Sequence, residues 1–478
     1  MSNRVPVVPG SNSPNFSVTN RQAALFSQVG FKQPTYPAPL GTSDLMSEFP
    51  RIPPATLTNP FYAGSVQQLH AVPGDDSVMV MRTTKAGSVF DVGAIFEIPG
   101  NDLARAIFRH VLYTKLGQPE VWQRVAGAIR ADTGLADTYR EALLAGVMDD
   151  LTTRGARTHH VGMLDGETGE LCREGLPATP STCNVVRRYR IEKPVRLDFL
   201  GAHLYDYSAF PHLDGNVVPL EVIVRFGITS GSSVYRKYLA MNESARKGFE
   251  RELGVSRPLE AWNMLERPII DFTSKYEPED RMVSKQEAGV MSGLVGAQFR
   301  RIGQLAVLGG WVVRHLLEEI GLLLWDLKWE FAHDGDDLVY VDTIDTDSIR
   351  ATSFIDRNGE RFIIHYNKQS MRDYFRLLHG DWLAGIDDAK ARAKTEGVAF
   401  TELLKAGQTA GTYPGTPQVS AEFIALQVRK MNLVSAHMLG QAEPEATRSA
   451  LIEAGLAEVE FYAAAGKLDD FRKLNGIS

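Results

Sequence analysis

WDLKWEFAHDGDDLVYVDTIDTDSIR, residues 325–350, carries the pattern from which the fold is read. Leu327, Trp329 and Phe331 alternate with Asp326, Lys328 and Glu330. A two-residue period sends the apolar side chains to one face of a strand and the charges to the other. Asp334, Gly335, Asp336 and Asp337 read as a turn, and LVYVDTI as a returning strand with Asp342 near its end. One hairpin thus gathers three carboxylates and an ammonium. Converging carboxylates repel unless a divalent cation or a basic partner offsets them, and hard oxygen donors suit Mg²⁺, which also holds nucleotide phosphates. The same alternation suits a solvent-facing strand in which Lys328 simply balances Asp326 and Glu330.

Upstream, VVPLEVIVRFGITSGSSVYRKYL (217–239) is an apolar strand containing Glu221 and Arg225 and leading to a loop with Gly231, Ser232 and Ser233. A forked guanidinium beside backbone N–H and hydroxyl donors suits a phosphate monoester. Alone, the motif also fits a hairpin turn with a surface arginine.

The 478 residues, 44% of them apolar, are enough to close sizeable cores. With 51 basic and 58 acidic side chains the net charge is −7, which argues against a nucleic-acid-coating surface. Two cysteines, Cys172 and Cys183, provide neither a disulfide framework nor a thiol zinc cage, and a reducing cytoplasm is the expected compartment. The N-terminus lacks the apolar core of a secretory signal. No apolar run approaches the roughly 20 residues that span a bilayer, so a soluble protein with no membrane partner is expected.

Residues 1–58 are rich in proline and read as an irregular arm, with VPVVP and AALFSQVGF as anchors for a second subunit in a possible homo-oligomer. Strand-length runs fill 60–100, and helical periodicity fills 101–155, where Leu103, Ile107, Val111 and Leu112 share a face and Asn101 is placed to cap. Strand signals over 157–240 suggest a second sheet. Residues 284–322 are helical, with Ser284 and Glu287 spaced as a capping box. Further helices are expected at 367–379, 385–406, 418–440 and 444–474. The whole is α+β, with antiparallel sheets and covering helices.

In order along the chain, several segments resemble the SAICAR synthetase family, ligases that join a carboxylated aminoimidazole ribotide to aspartate. FYAGSVQQLHAV is similar to that family's ATP-covering hairpin, and SVFDVGAIFEIPGND to its Ser-Ala-Phe-Asp strand and Ile-Pro-Gly turn. VPLEVIVRFGITSGS resembles Pro-Val-Glu-x-Val-Val-Arg-Asn with its Gly-Ser ending. RPIIDFTSKYEPEDRMVS resembles the Thr-Lys-x-Glu segment, DLKWEFA the Asp-x-Lys-x-Glu-Phe-Gly strand, VDTIDTDSIR the acidic run ending in arginine, and NKQSMRDYF the Asp-Lys-Gln-x-x-Arg-Asp motif. The resemblance spans roughly residues 60–440.

It implies a two-lobed, ATP-grasp-like fold. Residues 59–216 would form an ATP-covering lobe with an insertion at about 120–185, residues 217–440 a lobe carrying the ATP, magnesium and phosphorylated-substrate site, and 441–478 a helical tail. By resemblance, Gly64 belongs to the ATP-covering hairpin, Glu221 lies near the adenine, Glu330 touches the ATP ribose and Asp342 holds magnesium. Asp326 and Lys328 would line the reacting centre as catalytic residues. Arg225, Ser232 and Arg350 would grip the phosphorylated substrate, with Asp91 near the acceptor site. The implied chemistry is ATP-driven activation of a carboxylate, followed by attack of an amine such as aspartate.

The chain departs from that pattern where ATP phosphates would be met. The basic residues of the first hairpin are replaced by Ser65 and Gln67, the Pro-Gly-Lys-Gly turn reads Pro99, Gly100, Asn101, Asp102, and the glutamate after the magnesium aspartate is Thr343. Each lost lysine–phosphate contact removes about 1.5–3 kcal/mol unless another base, such as Arg82 or Lys85, substitutes. A specialised paralogue with other carboxylate and amine substrates, serving nucleoside natural-product chemistry, and a catalytically silent binding protein are the competing readings. His159 and His160 read as ordinary surface or loop histidines, and the cysteines as free thiols.

Overall fold

The computed structural model describes residues 49–277, 280–294 and 296–477. Most of the proline-rich arm, residues 1–48, lies outside them.

Three short strands open the chain: β1 (Tyr62–Ala63), β2 (Gln67–Val72) and β3 (Asp75–Thr83). A small pair, β4 (Ala86–Ser88) and β5 (Ala94–Glu97), precedes four helices: α1 (Asn101–Leu116), α2 (Pro119–Ala131), α3 (Asp137–Leu144) and α4 (Met148–Arg154). The expected face of α1 proves too narrow. Arg105, Phe108, Arg109, His110 and Tyr113 are buried along with Ile107 and Leu112, so the helix is enclosed nearly all round. Asn101 starts this helix, but its side chain makes no capping bond.

The strands expected to found a second sheet, β6 (His160–Leu164), β7 (Leu171–Cys172) and β8 (Cys183–Arg187), instead complete the first, in the order β1-β2-β3-β8-β6-β7. The cause is β8, CNVVR, buried along almost its whole length, which pairs antiparallel with both β3 and β6. Next, β9 (Val195–Phe199) and β10 (Ala202–Asp206) form a separate two-stranded hairpin whose Val195, Leu197, Phe199 and Leu204 are exposed.

The second large sheet begins at β11 (Leu220–Ile228). After α5 (Ser233–Leu239) and α6 (Glu243–Leu253) come β12 (Asn263–Ser274) and β13 (Met282–Val283). Ser284 then caps α7 (Lys285–Ser292) by accepting from the Glu287 N–H at 3.1 Å, as the capping-box spacing predicts. α8 (Ala297–Glu318) leads into β14 (Leu323–Asp334), β15 (Asp337–Val341), β16 (Ile349–Arg357) and β17 (Glu360–His365). The antiparallel order is β13-β12-β11-β14-β16-β17, with β15 paired to β14. Leu327, Trp329 and Phe331 are 1%, 1% and 0% exposed, which fixes the core face. α8 packs on this face at close range: a Cβ on Gly309 would lie 3.0 Å from the Trp329 ring, and one on Gly310 3.0 Å from Phe226.

The remaining helices are α9 (Gln369–Leu378), α10 (Gly380–Glu396), α11 (Phe400–Thr409), α12 (Ala421–Met438), α13 (Pro444–Ala464) and α14 (Leu468–Leu474). Two stretches expected as single helices are each broken, at Gly397 and Gly466, both of positive φ. The fold is α+β with antiparallel sheets. No helix among the described residues is long and apolar enough to cross a membrane.

A buried ion pair and its hydrogen bonds help hold the layers together. The Lys430 ammonium, on α12, lies 2.5 Å from Glu458 on α13 and donates to the His365 carbonyl at 2.8 Å and to Ser370 Oγ at 3.0 Å. Removing one partner of such a pair strands the other charge, so Glu458→Ala is expected to cost about 3–5 kcal/mol in urea unfolding.

The histidines expected at the surface are a correction: His159 is buried, and His160 Nε2 lies 2.8 Å from His110 Nδ1 under the Tyr113 ring. Burial, with Arg109 nearby, pulls the His159 imidazole down to about 3. The unfolded chain binds a proton near pH 6.5 that the folded chain refuses until about pH 3. Its share of stability is therefore complete above pH 6.5 and is lost as pH falls toward 3. In His159→Asn, the urea midpoint should fall less steeply between pH 6.5 and 4 than in the wild type.

Candidate functional site

Strands β11 and β14 lie side by side in antiparallel register, with Ile223 opposite Lys328 and Arg225 opposite Asp326. Their apolar residues alternate into the core beneath α8, so Glu221, Arg225, Asp326, Lys328 and Glu330 share the other face. The Lys328 ammonium sits between two carboxylates, 2.6 Å from Glu221 Oε1 and 3.1 Å from Glu330 Oε1. Burial opposes its charge, but Glu330, Glu221 and Asp342 outweigh burial and hold its pKa well above the ordinary lysine value. Thr273 Oγ1 donates to the second oxygen of Glu221 at 2.7 Å. Lys275, at the end of β12, pairs with the other oxygen of Glu330.

Glu330 is nearly fully buried, and its pKa is raised, first by burial and then by the neighbouring Asp342 carboxylate, against the pull of Lys275 and Lys328. Asp342 follows β15 in a left-handed conformation, φ 61°, and its carbonyl accepts from the Tyr113 hydroxyl at 2.9 Å. That backbone region is unusual for a non-glycine residue and concentrates at functional sites. Among the described residues no group of three or more His, Cys, Asp or Glu forms a metal cage. Two adjacent carboxylates, one with its charged form disfavoured, nonetheless fit Mg²⁺, which commonly takes one or two protein carboxylates and completes its shell with phosphates and water.

The other end of this face is rich in guanidinium groups. Arg225 is buried and committed: its Nε meets Asp271 at 2.5 Å and its Nη1 meets Asp326 at 3.2 Å. Arg350, from β16, bonds Asp326 at 3.1 Å and Thr229 Oγ1 at 2.9 Å, yet stays partly exposed. Ser232 Oγ is buried with no hydrogen-bond partner among the described residues.

Sequence reading missed several charges here. Arg372 is depressed by burial and then by the neighbouring Arg350 and Arg376, and Lys368 is depressed chiefly by burial. The signal was their i, i+4 spacing in KQSMR, which puts Lys368 and Arg372 on one side of the start of α9. Asp345 is fully buried, 2.8 Å from Arg109 and 3.2 Å from Arg105. Burial would raise its pKa, but these two arginines hold it down at about 2.

The structure thus brings together Glu221, Arg225, Asp326, Lys328, Glu330, Asp342 and Arg350, with Ser232 next to Ser233, whose hydroxyl accepts from Arg225 at 3.4 Å. Among the described residues no hydrogen bond or ion pair joins Gly64 or Asp91 to this group. Gly64 turns β1 into β2, donating to the Gln67 carbonyl at 2.8 Å. With its amide oxygen facing Arg109, Gln67 accepts from that guanidinium at 3.1 Å. Asp91 is exposed, has φ 63° and pairs with Lys390 at 2.9 Å. Of the two bases considered as substitutes for the absent lysines, Lys85 is half exposed and paired with Glu97 at 2.7 Å.

Comparison with known proteins falls on this part of the chain. Residues 205–387 match the family model described as SAICAR synthetase. A protein of Archaeoglobus fulgidus named "Putative phosphoribosylaminoimidazole-succinocarboxamide synthase" is 32% identical over 236 residues, 48% of this chain and 66% of that protein. The phosphoribosylaminoimidazole-succinocarboxamide synthase of Streptomyces coelicolor is 31% identical over 171 residues, 35% of this chain and 53% of that protein. The matches therefore span less than two thirds of either relative. Among solved structures, the SAICAR synthase of Saccharomyces cerevisiae complexed with SAICAR aligns over 80% of this chain and 95% of that one, at 17% identity and a TM-score of 0.44. From the sequence match and the strand pair at its centre, residues 205–387 of this chain form a SAICAR synthetase family domain.

Proposed function

We propose that the chain is an ATP-dependent carboxylate–amine ligase that activates a phosphoribosyl-imidazole-like carboxylate and couples it to an amine such as L-aspartate. The observation that carries this reading is the polar face of β11 and β14, where Glu330, with Asp342 beside it, offers a carboxylate pair suited to Mg²⁺ and Arg225 and Arg350 meet at Asp326 to offer cations suited to a phosphate monoester. Glu330 and Asp342 would hold the metal, which when bound neutralises triphosphate charge. Glu221 and Glu330 fix the Lys328 ammonium, so it needs little reorganisation to face phosphate charge. Arg350, Arg372, Lys368 and Ser232 would bind the monoester, while Arg225, spent on Asp271 and Asp326, positions Asp326 and the strand end.

The substrate carboxylate oxygen attacks the γ-phosphorus and ADP leaves. The amine nitrogen then attacks the acyl carbon, expelling inorganic phosphate and giving up a proton as the amide forms. Alignment of the reactants and charge neutralisation supply most of the acceleration. A second reading, a silent binding homologue, has a specific observation in its favour: Gln67 stands where the family carries a phosphate-binding base, and the nearby Arg109 is spent on Asp345.

Purified protein given ATP, Mg²⁺, carboxyaminoimidazole ribotide and L-aspartate should release ADP, and Asp342→Asn should lower kcat by about a hundredfold or more. ADP release with another amine but not aspartate would indicate a specialised ligase. Thermal stabilisation by the ribotide but not by ATP–Mg²⁺ would overturn the ligase reading in favour of the binding homologue.

A further inference from the structure

The segment after α14 reaches the loop that joins β11 to α5, at the phosphate-monoester end of the site. Asn475 is 4% exposed and bonded on three sides. Its carbonyl accepts from Trp262 Nε1 at 2.5 Å, its Oδ1 lies 3.0 Å from His365 Nε2, and its Nδ2 donates to the Phe471 carbonyl at 3.1 Å. Trp262 in turn donates its backbone N–H to the Ile228 carbonyl at 2.6 Å and packs edge-on against Trp325 at 5.2 Å. Gly476 then touches the loop itself: a Cβ built on it would stand 3.3 Å from Ser230 Cβ. On the opposite side the loop is held by Arg350 through Thr229 Oγ1.

From this bracing, the geometry points to Asn475 as a positioning residue for the anion-binding loop, with Gly476 as the surface against which Ser230 is set. The inference rests on the phosphate-monoester reading of that loop given above. Ser232 supports it: its hydroxyl is buried without a partner among the described residues, so its loop must be held in register for an incoming phosphate oxygen to take up that hydrogen bond. Asn475 is buried, with its carbonyl, Oδ1 and Nδ2 already bonded within the protein. It acts through Trp262 and Ile228 on one path and through Gly476 and Ser230 on the other, and so governs affinity for the phosphorylated substrate and leaves the metal and triphosphate end alone.

The test measures binding of ribose 5-phosphate and of ATP–Mg²⁺ separately, by calorimetry on the full chain, in the wild type and in Asn475→Ala, Trp262→Phe and Gly476→Ala. Trp262→Phe keeps the ring and removes the donor to Asn475. Gly476→Ala puts a methyl against Ser230 at a backbone angle of φ 70° that alanine resists. Each variant should weaken ribose 5-phosphate binding by about tenfold while the ATP–Mg²⁺ Kd stays within about twofold. In turnover, KM for the phosphorylated substrate should rise with little change in kcat. Unchanged ribose 5-phosphate affinity in all three variants would overturn the inference, as would parallel loss of both affinities, which marks general loosening. Absence of ribose 5-phosphate binding in the wild type would also overturn it. Absence of ATP–Mg²⁺ binding with the ribose 5-phosphate pattern intact would instead remove the ligase reading and leave the bracing role standing.

Discussion

A lysine ammonium clamped between two glutamates on a mostly buried strand face is the constraint around which the rest of the molecule is arranged. Charges in such a place are tolerated only as a connected set, because each one unpaired would carry a large desolvation cost. Lys328 answers Glu221 and Glu330; Lys275 answers Glu330 from the next strand but one; Thr273 satisfies the remaining oxygen of Glu221. Three strands must therefore hold fixed register, which the packing of Leu327, Trp329 and Phe331 under α8 enforces from the opposite face. The network sets Asp342 beside Glu330 at one end and Arg372 beside Arg350 at the other. Those ends are where charged ligands of opposite sign gain most.

Much of this was legible because a two-residue period converts sequence directly into faces. Once Asp326, Lys328 and Glu330 alternate with three large apolar residues, their common orientation follows, and the acidic turn returns the chain so that Asp342 comes back beside them. Glu221 and Arg225 obey the same rule, four apart on a strand of otherwise apolar residues. Family resemblance added the roles, and the structure supplied the register that makes the residues neighbours.

What periodicity does not encode is which strands pair. The residues of β6 and β8 looked like founders of a new sheet because a long helical stretch separates them from β3, yet β8 inserts beside β3. Burial of charge was equally hidden. Arg105 and Arg109 fall outside the apolar set Leu103, Ile107, Val111 and Leu112, and only the position of Asp345, more than 230 residues later, explains why they lie inside. For Asp91 and Gly64 the motif suggested proximity, and among the described residues Asp91 is tied to Lys390 on α10.

The approach of α8 to the sheet constrains how this sequence can drift. With Gly309 against Trp329 and Tyr340, and Gly310 against Phe226 and Leu327, even one methyl at either glycine demands that an aromatic ring shrink or the helix lift from the strand that bears Lys328. Variation there must be concerted. Homologues that replace either glycine should show a smaller residue at one of these facing positions, so a covarying set distant from any ligand would trace the mechanical support of the site.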